Sequence, residues 1–166
     1  MSAAATADLK HFFFDENLAT ALTAGVQETI YEMCRLPCDF EGNFIAQHWT
    51  PSGHATSSVE LISEQQKGLL QLHFSDVAAL TIMAKLLGRA PMTVNDDALD
   101  CIGSLTGIIY GRMKAILNPQ GYKFMMALPK MNYTAKLKHP EGNIRHLIVP
   151  FRVGSSKCFI QVVFYA

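Results

Sequence analysis

The stretch NDDALDCIGSLTGIIYGRMKAIL, residues 95–117, narrows most what this chain can fold into. At about 100° per residue it winds into one amphipathic helix. Ala98, Leu99, Ile102, Leu105, Thr106, Ile109, Met113 and Ile116 then fall on one broad apolar side, which must face a core. Opposite them runs a narrow strip of Asp100, Gly103, Ser104, Gly107, Gly111 and Lys114. Each glycine inside a helix costs about 1 kcal/mol relative to alanine, so three cost about 3 kcal/mol. Local propensity offers no return for that. A strip so poor in side chains lets another surface approach the backbone closely, whether a strand, a helix or a partner protein.

The rest of the chain supplies a sheet for that helix to cover. Residues 15–35 predict a first helix capped by Asp15 or Asn17, with Leu18, Leu22, Val26, Ile30 and Met33 inward and Glu28 and Glu32 outward. Residues 36–50 hold one or two short strands around the turn Glu41-Gly42-Asn43, and 51–58 read as a loop. Strands follow at 58–63 and 68–74 around a hairpin at 64–67; Leu70, Leu72 and Phe74 share one face, and Leu69, Gln71 and His73 the other. Ser75 caps a helix that runs to Leu87 and stops at Gly88. After the long helix, capped by Asn95 and ended by Pro119 and Gly121, residues 122–129 read as a strand and 130–143 as a strand followed by a loop. A hairpin of 146–153 and 157–165 closes the chain, with Pro150 marking an edge or a bulge. The class is α+β: an antiparallel sheet packed with about three helices, in a single domain over 1–166 with residues 1–14 as an arm.

Composition removes whole classes of function. Hydrophobic residues make up 49% against 17% charged, which excludes disorder. Fourteen basic and fourteen acidic residues cancel, leaving no electrostatic footprint for nucleic acid or an anionic membrane. The N-terminus lacks a secretory pattern, and no apolar run reaches the roughly 20 residues that span a bilayer, so the compartment is read as cytoplasmic. Cys34, Cys38, Cys101 and Cys158 lack paired zinc spacing and read as buried free thiols. The histidines show no metal-binding pattern, no serine sits in a nucleophile elbow, and no glycine-rich phosphate loop follows a strand. Met125, Met126 and Met131 read as core filling, and the three phenylalanines at 12–14 as packing beneath the first helix.

DCIGSLTGIIYGRMK resembles the signature helix of the CheX/CheC family of chemotaxis phosphatases, D-x-I-G-E-L-x-N-x-x-x-G, with Asp100, Ile102, Gly103, Leu105 and Gly111 in register. The strand–strand–helix run before it and Ala127-Leu128-Pro129 after it fit the same family. The resemblance covers about 15–165 and implies an internal pseudo-repeat. It also implies hydrolysis of the aspartyl phosphate of a CheY-like receiver domain. There an asparagine holds the attacking water, a glutamate engages a receiver lysine, and magnesium comes with the receiver. Those two catalytic positions carry Gly107 and Ser104 here. A second pair that some members carry on the first helix is absent as well, since Tyr31 and Arg35 stand three residues past Glu28 and Glu32.

Three readings follow. The first is a binding module that has lost the catalytic pair and docks a receiver through Asp100, Gly103, Ser104, Gly107, Gly111 and Lys114, with no cofactor of its own. The second is an active phosphatase with altered residues. The third is a structural component resembling the middle domains of flagellar switch proteins. The family resemblance also implies a homodimer, for which the apolar strand over 158–164 offers a sheet edge.

Overall fold

The structure, a computed structural model, describes residues 15–138 and 144–165. The expected arm over 1–14, with its phenylalanines, and the end of the 130–143 segment lie outside the described residues. Among the described residues three helices are present: α1 (Glu16–Cys34), α2 (Asp76–Leu87) and α3 (Asp96–Leu117). Each starts where a short polar side chain can take an orphan amide. Asp15 accepts from Leu18 N at 2.7 Å, Ser75 from Ala78 N at 3.1 Å, and Asn95 from Ala98 N at 3.0 Å. Gly88 ends α2 in the left-handed region at φ 73°, and Arg35 ends α1 the same way at φ 56°.

Among the described residues seven strands form one antiparallel sheet: β1 (Cys38–Phe40), β2 (Phe44–Ala46), β3 (Ala55–Ile62), β4 (Lys67–Phe74), β5 (Lys130–Tyr133), β6 (His146–Val153) and β7 (Ser156–Tyr165). The spatial order is β1-β6-β7-β4-β3-β5, with β2 also on β6. One face is apolar throughout. Leu70, Leu72, Phe74, Ile160, Val162, Val149 and Phe151 are buried there against Leu18, Leu22, Val26 and Ile30 of α1 and Ile102, Leu105 and Ile109 of α3. The predicted alternation in β4 is therefore the observed one.

The other face carries a string of polar side chains. Thr134 Oγ1 lies 2.8 Å from Thr56 Oγ1, which lies 2.8 Å from His73 Nδ1. His73 Nε2 lies 2.7 Å from Gln161 Oε1, and Gln161 Nε2 lies 2.9 Å from His146 Nδ1. An amide oxygen only accepts, so His73 donates from Nε2 and receives the Thr56 hydroxyl proton at Nδ1. All five residues are buried, and Trp49 lies edge-on to Phe159 with ring centroids 5.1 Å apart.

Several expectations are corrected. Residues 122–129 are not a strand. Lys123 adopts a left-handed φ of 55°, and side chains hold this backbone instead of a ladder. Asn118 brackets Phe124, accepting from its N–H at 2.8 Å and donating to its carbonyl at 3.1 Å, while Tyr110 OH donates to Met125 O at 2.5 Å. Met125 and Met126 are consequently 52% and 80% exposed and not core. The expected loop over 51–58 ends early because Ala55, Thr56, Ser57 and Ser58 pair with both β4 and β5. Met33 and Ile116 are exposed, while Tyr110 and Cys101, unassigned in the sequence pattern, are buried.

The C-terminal strand is no edge: β7 lies between β6 and β4 and is paired on both sides. The sheet ends instead at β5 and at β1 with β2. Pro150 lies in a strand with neighbours on both sides, yet its carbonyl accepts from Glu41 N at 3.1 Å. Its amide side therefore faces the turn between β1 and β2, where the ladder is interrupted and a missing N–H costs no bond.

Candidate functional site

The glycine strip of α3 divides into three parts. Gly103 is buried, and a Cβ there would lie 2.3 Å from Met131 Sδ, so β5 crosses the helix at this point. The close approach is made by the chain itself. At Gly107 a Cβ would meet only Pro129 Cγ at 3.6 Å, an ordinary contact. At Gly111 it would meet nothing within 4 Å. Elsewhere α3 is approached through another glycine: a Cβ on Gly25 of α1 would stand 3.4 Å from Ile109 O.

Asp100, Ser104 and Gly111 are exposed, while Gly107 and Lys114 are half-buried. Together they form a strip along α3, and the sequence pattern missed that Pro129, from the segment before β5, lies beside it at Gly107. The same segment carries Met126 and Leu128, 80% and 81% exposed. Ile108 of α3 itself is 37% exposed. Lys114 Nζ sits 5.0 Å from the Tyr110 ring centroid, an arrangement that keeps the ammonium at the strip's C-terminal end. At the N-terminal end, Asp97, Asp100 and Ser104 border an open depression of about 300 Å³ whose other lining residues include Leu86, Leu87 and Arg89.

The chemistry available here is limited. Cys101 lines the same depression, but burial, followed by the negative charges of Asp100 and Asp97, raises its pKa, and Arg89 only partly opposes them. Burial therefore disfavours the thiolate, the nucleophilic form. Ser104 offers one hydroxyl, and Gly107, a turn further on, offers no side chain at all. Among the described residues no group of His, Cys, Asp and Glu is arranged to hold a metal ion. The four cysteines are free and buried, as the sequence suggests. No helix among the described residues is long and apolar enough to cross a membrane.

The model of the family described as Chemotaxis phosphatase CheX matches residues 55–152. No curated protein matches the chain. Among solved structures, a CheC-like superfamily protein from Shewanella sp. PV-4 superposes with a TM-score of 0.81 at 21% identity, covering 92% of this chain and 100% of its own. A chemotactic CheC-like protein from Shewanella oneidensis MR-1 gives a TM-score of 0.75 at 25% identity, covering 90% and 98%. A chain of the CheX–CheY–BeF3–Mg2+ complex from Borrelia burgdorferi gives 0.64 at 15%, covering 89% and 97%.

Proposed function

The chain belongs to the CheX chemotaxis phosphatase family, and from that premise we propose that it binds a phosphorylated CheY-like receiver domain through the exposed face of α3 without hydrolysing the phosphate. One observation carries the reading. The strip is open along Ser104, Gly107 and Gly111, and Gly107 has no side chain with which to hold a water in line with phosphorus. The family signature places a glutamate and an asparagine at the positions of Ser104 and Gly107. Positioning a water is the main contribution a phosphatase of this type can make when the receiver brings its own acyl phosphate and magnesium. A hydroxyl on Ser104 is short and neutral, and glycine has no amide to offer. On this reading the surface docks the receiver and contributes no group to hydrolysis. The receiver partner is supported by the CheX–CheY complex among the structural neighbours. The protein acts in the cytoplasm, where receivers reside, and needs no cofactor of its own.

The test compares binding with turnover. Titration calorimetry against a receiver carrying a beryllofluoride phosphoryl mimic should show binding that Ile108→Asp weakens. Phosphate release from the same receiver, phosphorylated, should proceed at its own rate whether or not this protein is added. A protein-dependent acceleration that Ser104→Ala removes would establish the active-phosphatase reading instead. Failure of every host receiver to bind would leave the assembly-component reading.

A further inference from the structure

The five polar side chains buried on the sheet face away from the helices form one directional string. Thr134, Thr56, His73, Gln161 and His146 follow one another at 2.7–2.9 Å, from the end of β5 across β3, β4 and β7 to β6. Every link needs one donor and one acceptor. Thr134 donates to Thr56, Thr56 to His73 Nδ1, His73 Nε2 to Gln161 Oε1, and Gln161 Nε2 to His146 Nδ1. A threonine hydroxyl reverses its direction by rotating. Gln161 has an acceptor at one end and donors at the other, and a histidine stands at each end. Trp49, the chain's single tryptophan, packs against the His73 ring with centroids 5.7 Å apart and against Phe159 at 5.1 Å. Among the described residues, strand register places the charged groups of this face at its rim. Lys130 of β5, Glu60 of β3, Lys67 of β4 and Lys157 of β7 are exposed. Arg152 of β6, half-buried, lies opposite Asp39 and Lys157 and pairs with Glu41. Tyr165, and His48 and His54 on the segment leading into β3, are exposed, whereas His73 and His146 are buried.

We propose that this string is a proton-operated latch, which accepts one proton and opens on the second. A proton from solvent on His73 Nδ1 is accommodated. Thr56 turns to donate to Thr134, whose own proton turns away from the string, and every link keeps a donor and an acceptor. A proton on His146 Nδ1 is accommodated as well, once Gln161 turns over. Its oxygen then accepts from His146 and its nitrogen donates to His73 Nε2, while His73 carries its own proton on Nδ1 and donates to Thr56. Two protons are not accommodated. With both rings donating toward Gln161, one of them meets the amide nitrogen, and donor faces donor where no water shares the load. The string breaks at Gln161, and the second charge is hydrated only by admitting water to this face. Trp49 is the cover that moves, because it lies on a segment outside any strand and packs directly on His73. The latch is independent of the receiver-binding role proposed above, since it lies on the opposite side of the sheet from α3.

An acid titration of the full chain tests the latch. Imidazole nitrogen NMR of the isotope-labelled protein reads His73 and His146 ring by ring, Trp49 emission reads the cover, and circular dichroism follows the fold as a whole. The two rings together should take up one proton while the Trp49 emission wavelength stays at its neutral-pH value. Emission should move to the red only as the second proton is bound, before the helical signal is lost. Gln161→Glu places an acceptor at both ends, so both rings can donate at once. In that variant the pH at which Trp49 is released should fall by about one unit or more. Wild-type rings that both charge while Trp49 stays covered, rings that stay neutral until the whole chain unfolds, or Trp49 released by the first proton each overturn the proposal. If Gln161→Glu does not fold, the wild-type titration alone decides. If it folds and still releases Trp49 at the wild-type pH, Gln161 is not the point of conflict and the latch is wrong.

Discussion

Three glycines in one helix have three different surroundings, and their substitution should separate accordingly. Alanine at Gly111 meets nothing and alanine at Gly107 meets only the edge of Pro129, so each should gain helix propensity of about 1 kcal/mol. Alanine at Gly103 would drive into the Met131 side chain. Met131 is flexible but packs against the core, so moving it should cost about 1–3 kcal/mol and outweigh the propensity gain. Urea unfolding of the three single variants checks the order; a stabilised Gly103→Ala would show that Met131 yields freely. Gly68 is more demanding still. A Cβ there would lie 2.4 Å from the Val163 carbonyl oxygen, and the backbone of a paired strand cannot swing aside as a side chain can. Sequence alone ranks these positions equally, because the atoms that distinguish them come from β5 and β7, far along the chain.

At the scale of elements, caps and periods made the helices readable, and side-chain support hid the segment between α3 and β5. Asp15, Ser75, Asn95 and Gly88 mark helix ends by local chemistry, and all four do so in the structure. Residues 122–129 look like a strand because Tyr122, Phe124, Met126 and Leu128 recur at every second position. Their backbone is instead fastened by Asn118 and Tyr110, a type of support no hydrophobic pattern records. Asn118→Ala removes both bonds to Phe124 and should lower stability by about 1–3 kcal/mol. Because the same segment carries Met126 and Leu128, the variant should also weaken whatever docks on α3. Hydrogen exchange at Phe124 checks the cause: unchanged protection there would mean the segment is held some other way. The identity of the edge strands was equally illegible, since apolar alternation shows that β7 is buried but not which strands flank it. The exposed face of α3 was legible as a strip. Pro129, which lies beside it at Gly107, was not, because it belongs to another segment.

The whole molecule places ionisable thiols and phenols where ionisation is costly, and that fixes its response to alkali. Burial pushes Cys158 from an ordinary value of 9.0 to about 12, and burial together with the nearby Cys158 and Cys34 pushes Cys38 to about 12. Burial likewise raises Tyr110 from 10.0 to about 12, and burial and the Asp15 hydrogen bond raise Tyr122. In each case the folded state holds its proton more tightly than the unfolded chain does. The stability this contributes is complete below the unfolded values, near 9 for the thiols and 10 for the phenols, and is lost as pH rises toward 12. Unfolding midpoints in urea should therefore be level from neutrality to about pH 8, then fall steeply. The thiols should govern the first part of the fall, since their unfolded values are lower. Cys158 lies on the helix-covered face of β7 and is fully buried, so Cys158→Ala should cost stability at neutral pH through lost packing while flattening the decline above pH 9. The two effects have opposite signs relative to wild type, and the curves should converge as pH rises. Parallel curves, with the variant lower by a constant amount at every pH, would show that the Cys158 thiol does not contribute to the alkaline loss.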